Sequence, residues 1–132
     1  MSDSPSDDRF ERGLEARRRV VGAGYVEQQF AAAGELDRDF QRMVTEYCWG
    51  EVWTGTALSD KQRSLHNLCL LAALNRPTEF ETHCRGALRN GVTVEELRET
   101  LTQIAVYAGV PAGMEAFRIA RRVLADHTAA AD

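Results

Sequence analysis

Apolar residues along this chain recur three and four positions apart, the spacing that gathers one face of a helix. Phe10, Leu14, Val20 and Val21 mark a first helix that starts at Asp7-Asp8 and stops at Gly22 and Gly24. Arg17-Arg18-Arg19 interrupts its stripe and keeps it narrow. Residues 25–34 read as a connector with some helical character. Leu36, Phe40, Met43, Val44 and Tyr47 then predict a second long helix over 35–49, with this stripe as its buried face. Residues 50–58 carry two glycines, Glu51 and Trp53, and predict a packed loop of the kind that often holds a site.

Ser59 or Asp60 caps a third helix in which Leu65, Leu68, Leu70, Leu71 and Leu74 leave almost no polar side. A helix apolar all round has to be covered all round, which predicts a central position shared with a subunit interface. Pro77 opens a fourth helix and Asn90-Gly91 closes it. Thr93-Val94-Glu95-Glu96 is a capping box for the fifth, whose stripe is Leu97, Leu101, Ile104, Ala105 and Ala108. Pro111 opens the last helix, with Phe117, Ile119, Ala120, Val123 and Leu124 apolar. No stretch alternates as a strand does. The expected fold is therefore all-α, a single-domain bundle of about six helices over residues 7–127, with a disordered tail at 1–6 and a C-terminal tail at 128–132.

A length of 132 residues suits one domain, and 44% hydrophobic with 27% charged residues is an ordinary globular composition. The net charge of −4 and the scatter of the basic residues argue against nucleic acid as a partner. Individual arginines can still converge on a small anion. Cys48, Cys69 and Cys84 form no CxxC pair and read as reduced, buried thiols. The polar, acidic start is unlike a signal peptide and no apolar run is long enough for a membrane, so a cytoplasmic protein is expected.

Chemistry concentrates between Asn75 and Thr93. Arg76, Glu79 and His83 share a helix face, and Glu79 sits one turn before an imidazole able to exchange a proton near neutral pH. A surface histidine merely paired with Glu79 is the alternative. Arg63, Arg76 and Arg85 offer forked donors for carboxylates, or else are solvated. Glu51, between Trp49 and Trp53, is expected to be desolvated by aromatic walls and so raised in pKa. Metal binding has no support in spacing, because His66, His83 and His127 lie on three separate segments without HxxxH or CxxC.

Trp49-Gly50-Glu51-Val52-Trp53, Arg63-Ser64-Leu65, Leu71 to Arg76, His83 to Thr93 and Tyr107 to Ala112 together resemble, in order and spacing, the carboxymuconolactone decarboxylase family. The resemblance runs from about Arg9 to Ala125. It departs from the family pattern at His66, which could line a modified pocket, at Ala108, and at Met114-Glu115.

The resemblance implies an alkyl hydroperoxidase D-like helical subunit in a ring-like hexamer, and a cofactor-independent decarboxylation in the protocatechuate branch of the β-ketoadipate pathway. The implied substrate is a small carboxylated lactone. His83 and Glu51 would be catalytic, while Arg76, Arg85, Trp53 and Glu79 would line the substrate site. Competing readings are a related decarboxylase or isomerase on another small lactone or oxo-acid, and a non-catalytic oligomer that binds a small acid. Thiol peroxidase chemistry, which relatives of this fold perform with a CxxC before the matching histidine, finds Arg76 and Glu79 at those positions here, and Ser64 where those relatives carry a glutamate.

Overall fold

The computed structural model describes residues 5–131, and among them it is all-α, with no strand. Residues 1–4 of the expected tail, and Asp132, lie outside the described residues. The chain divides into two compact units, one ending at Ser59 and the other beginning at Asp60.

The first unit holds α1 (Pro5–Val21), α2 (Ala23–Ala32), α3 (Arg38–Val44) and a π-helical segment, Thr45–Val52. The connector at 25–34 is thus largely helix, and the long second helix widens into a π turn that takes in Glu51. Thr45 supplies a cause: its hydroxyl donates to the Gln41 carbonyl at 2.8 Å, competing with the backbone ladder one turn back. The same hydroxyl accepts from Arg17 at 3.0 Å.

Periodicity misplaces the buried face here. Leu36, Phe40, Met43 and Tyr47 are exposed, Leu36 almost fully at 98%. The unit instead closes through Val44, Cys48, Trp49 and Trp53 against Ala16, Val20 and Val26 of α1 and α2. The two tryptophan rings stack with centroids 5.0 Å apart. Arg17 is buried among them, donating to Gln41 at 2.9 Å and lying over the Phe30 ring. Burial lowers its pKa.

Two glycines let α1 and the π segment touch. A Cβ at Gly13 would press into the Thr45 carbonyl and come within 3.0 Å of the Gly50 nitrogen, and one at Gly50 would meet the Arg9 carbonyl oxygen at 2.8 Å.

The second unit is α4 (Asp60–Ala73), α5 (Pro77–Arg89), α6 (Val94–Ala108) and α7 (Val110–Ala131). Helix α7 therefore continues through 128–131, where the sequence reads as a tail. Leu68, Phe80, Cys84, Leu97, Leu101 and Ile119 anchor one core. Pro77 opens α5, and Thr93 and Glu96 form the capping box of α6 as expected. Helix α4 buries Ser64 and Leu68 but leaves Leu70, and Leu74 just past its end, more than half exposed, so it is not covered all round within the chain. Val106, Tyr107, Val110 and Met114, around the α6–α7 turn, are exposed as well. No helix is long and apolar enough to cross a membrane.

The crossing at Gly13 is expected to tolerate no side chain. Gly13→Ala should lose at least about 2 kcal/mol of stability, as overpacked sites do. Gly24→Ala, where a Cβ meets nothing within 4 Å on helical backbone, should be neutral or gain up to about 1 kcal/mol. Chemical denaturation of the two variants checks both.

Candidate active site

The hairpin of α4 and α5 builds the site. Asn75 turns the chain with φ of 57°, a left-handed conformation that asparagine accepts, and Arg76 occupies the N-cap of α5. From there Glu79 and His83 follow on the same side of α5. His83 meets α4, where the Asn67 Nδ2 lies 3.4 Å from its Nδ1.

Burial pushes the His83 pKa down to about 4, against the opposing pull of the Glu79 carboxylate. The cause is desolvation of the charged ring. At neutral pH His83 is consequently an uncharged imidazole with one N–H to donate. That decides between the two readings of this histidine left by its spacing: it is a half-buried group whose neutral state is imposed by the fold, rather than a surface partner of Glu79.

Arg76 is exposed, and its guanidinium reaches the carbonyls of Leu74 at 3.3 Å and Asn75 at 3.4 Å. It stands on the rim of a cleft of about 340 Å³ walled by Phe80, Pro111, Ala112 and Ile119, with Glu115 as the acidic group. Arg85 turns to the other side of α5. Its guanidinium donates to Asp126 at 2.9 Å and lies 3.9 Å from Glu81, which Arg122 also holds. Two carboxylates therefore share the charge that the sequence offered to a substrate.

Glu51 and Trp53 belong to the first unit. The expectation that aromatic walls desolvate Glu51 is corrected: half of its side chain is exposed and its carboxylate lies 3.4 Å from Arg9 Nε. The tryptophans stack on each other, and Trp53 is a core residue at 4% exposure. His66 is exposed on α4.

Asn67 was missed by sequence reasoning. A signal existed, because Asn67 and His83 lie symmetrically about Asn75 and an antiparallel hairpin brings such positions together. Ser64 was noted only as a missing glutamate; it is fully buried and accepts from the Asn90 amide at 3.0 Å, tying α4 to the end of α5.

The thiols are quiet. Burial raises the pKa of Cys48 and Cys69, and that of Cys84 to about 11, so all three stay protonated. Among the described residues no group of three or more His, Cys, Asp or Glu is placed to hold a metal ion.

Residues 38–122 match the Carboxymuconolactone decarboxylase family. The chain belongs to that family. It is 36% identical over 120 residues to a 4-carboxymuconolactone decarboxylase of Acinetobacter baylyi, an alignment covering 91% of this chain and 90% of the relative. It is 38% identical over 117 residues to a nitrosuccinic acid decarboxylase of Metarhizium robertsii, covering 89% and 82%. Both relatives are decarboxylases, and they are named for different acids. The two relatives share carboxy-lyase chemistry and differ in the acid each is named for.

The depressed His83 pKa predicts a pH dependence of stability. The unfolded chain protonates this ring near 6.5 and the folded chain only near 4, so the unfolded state binds more protons between those values. The stability from the neutral ring is full above pH 6.5 and is lost as pH falls toward 4, by at most about 3 kcal/mol. His83→Gln should flatten that slope in urea melts taken from pH 7 to pH 4.5.

Proposed function

We propose that this chain is a cofactor-independent carboxy-lyase that converts 4-carboxymuconolactone to 3-oxoadipate enol-lactone and CO₂, a step of protocatechuate breakdown in the β-ketoadipate pathway. One observation carries the reading: a neutral, half-buried His83 two turns along α5 from Arg76, in a chain aligned over nine-tenths of its length with a protein named for that reaction.

In this substrate the bond from the ring carbon to its carboxylate breaks. The electron pair moves through the ring double bond onto the lactone carbonyl oxygen, and CO₂ departs. A proton is then added at the ring carbon next to that carbonyl, which regenerates the lactone carbonyl and leaves the double bond shifted. The substrate is its own electron sink, so the protein has to hold carboxylates, meet the developing oxyanion and let a proton in. A neutral His83 suits the second task, donating its ring N–H to the oxyanion in a site from which water is partly excluded. Arg76 at the start of α5 supplies positive charge, reinforced by the helix N-terminus, for a carboxylate. Glu79, one turn away, favours any imidazolium formed in passing. Glu51, half exposed and held by Arg9, is the proposed acid–base group of the first unit, while Trp53 is assigned here to the core of that unit. Arg85, already neutralised by Glu81 and Asp126, is assigned here to structure.

A second reading has its own support in the relative named for nitrosuccinic acid. Loss of CO₂ from the carbon bearing a nitro group leaves charge on the nitro oxygens, an oxyanion that the same N–H could meet. Self-association is part of the proposal: the exposed Leu70, Leu74, Tyr107 and Met114 favour a closed oligomer, expected to be a hexamer and to appear as one species in light scattering.

The test is metal-free incubation with each acid, following CO₂ release. Wild type should turn over the lactone faster than nitrosuccinic acid. His83→Gln should lose about 100-fold in kcat or more, the usual size of an oxyanion donor or acid–base group. Glu51→Gln should lose about tenfold or more by the same chemistry. Undiminished turnover of His83→Gln contradicts the reading, and turnover of nitrosuccinic acid alone replaces the substrate.

A further inference from the structure

Arg63 is the half-buried arginine of the second unit that no carboxylate neutralises. Among the described residues it makes no ion pair, and its Nε is buried without a hydrogen-bond acceptor. Leaving a buried donor of a charged group unmatched is costly, and such a group calls for an explanation. The other half-buried arginine of this unit, Arg85, is matched by Asp126 and Glu81. Lys61, two residues before Arg63, is matched by Glu96 at 2.8 Å. The fold thus balances the neighbouring cations and leaves this one.

Its position says what it would serve. Arg63 and Asn67 are four residues apart on α4, so they share a face one turn from each other. Asn67 is the residue that reaches His83 Nδ1. With the Asn67 NH₂ turned to the ring, Nδ1 is the acceptor and the ring proton belongs on Nε2.

We propose that Arg63 is a substrate-binding residue of the His83 site, taking a carboxylate of a small dicarboxylic or tricarboxylic acid in its guanidinium fork while Asn67 holds His83 as the Nε2–H tautomer. A planar fork suits a carboxylate in a way that an ammonium does not. The substrate carboxylate would be met end-on by the two Nη groups, since Nε itself is closed to solvent. This rests on the reading of His83 as the reactive centre, and it adds a cation on α4 to the charge of Arg76 on α5.

The experiment is a titration of the folded protein with succinate, a dicarboxylate with no easily lost CO₂, read by calorimetry and by the ¹⁵N resonances of the histidine rings. Wild type should bind one succinate per chain, and the His83 ring, with shifts of an Nε2–H imidazole, should move on binding. Arg63→Gln should bind at least tenfold more weakly and leave the His83 signal still. Arg63→Lys, which keeps the charge and guards against a folding defect, should bind more weakly than wild type by a smaller factor. Arg121→Gln, an exposed change on α7, should bind as wild type does. Overturning results are binding by folded Arg63→Gln or by Arg63→Lys as tight as that of wild type, no succinate binding by wild type, binding that leaves His83 unmoved, or an Nδ1–H tautomer. The proposed reaction fails differently: binding would persist while no acid released CO₂.

Discussion

The burial of one imidazole between α4 and α5 sets the chemistry open to this protein. Placed in water His83 would be half charged near pH 6.5, and as an imidazolium beside Glu79 it would form an ordinary ion pair. The fold removes enough water that the neutral ring wins over the carboxylate's pull. A neutral N–H donor is suited to oxygen that becomes negative during a reaction, because its attraction grows as the charge grows. The packing that achieves this is mundane: Leu68, Phe80 and Cys84 close the hairpin, and Ser64 with Asn90 latches its far end.

Charge is partitioned around α5 in a way that supports the same conclusion. On the side facing α7, Arg85 and Arg122 meet Glu81 and Asp126, a network that ties the two helices and leaves little net positive charge. On the side of His83 the cations Arg63 and Arg76 meet no carboxylate among the described residues. The cysteines are held as neutral thiols, Cys84 most firmly, which separates this chain from thiol-based relatives despite the shared fold.

Much of this was legible in the sequence. Pro77, Asn90-Gly91 and the Thr93 to Glu96 box mark helix ends through local backbone chemistry, and local rules hold wherever they occur. The histidine was legible too, through its spacing from Glu79 and Arg76. Burial was less so. The stripe from Leu36 to Tyr47 has helical period yet faces outward, because Thr45 opens a π turn and the tryptophans that follow claim the core. Arg85 looked as available as Arg63, since the acids that neutralise it come from one turn back and from another helix. Glu51 looked enclosed by its sequence neighbours, whereas the tryptophans turned to each other and the carboxylate to Arg9. In each case the deciding partner is distant in sequence or competes through tertiary packing, which periodicity does not see.

The central claim is that the fold keeps His83 uncharged. It is tested most directly by following the ¹⁵N resonances of the His83 ring in the folded protein from pH 8 to pH 4. The ring should stay a neutral imidazole down to pH 5, with protonation setting in only toward about 4. A midpoint at 6.5 or above would contradict it, returning His83 to an ordinary surface histidine and removing the oxyanion donor from the mechanism.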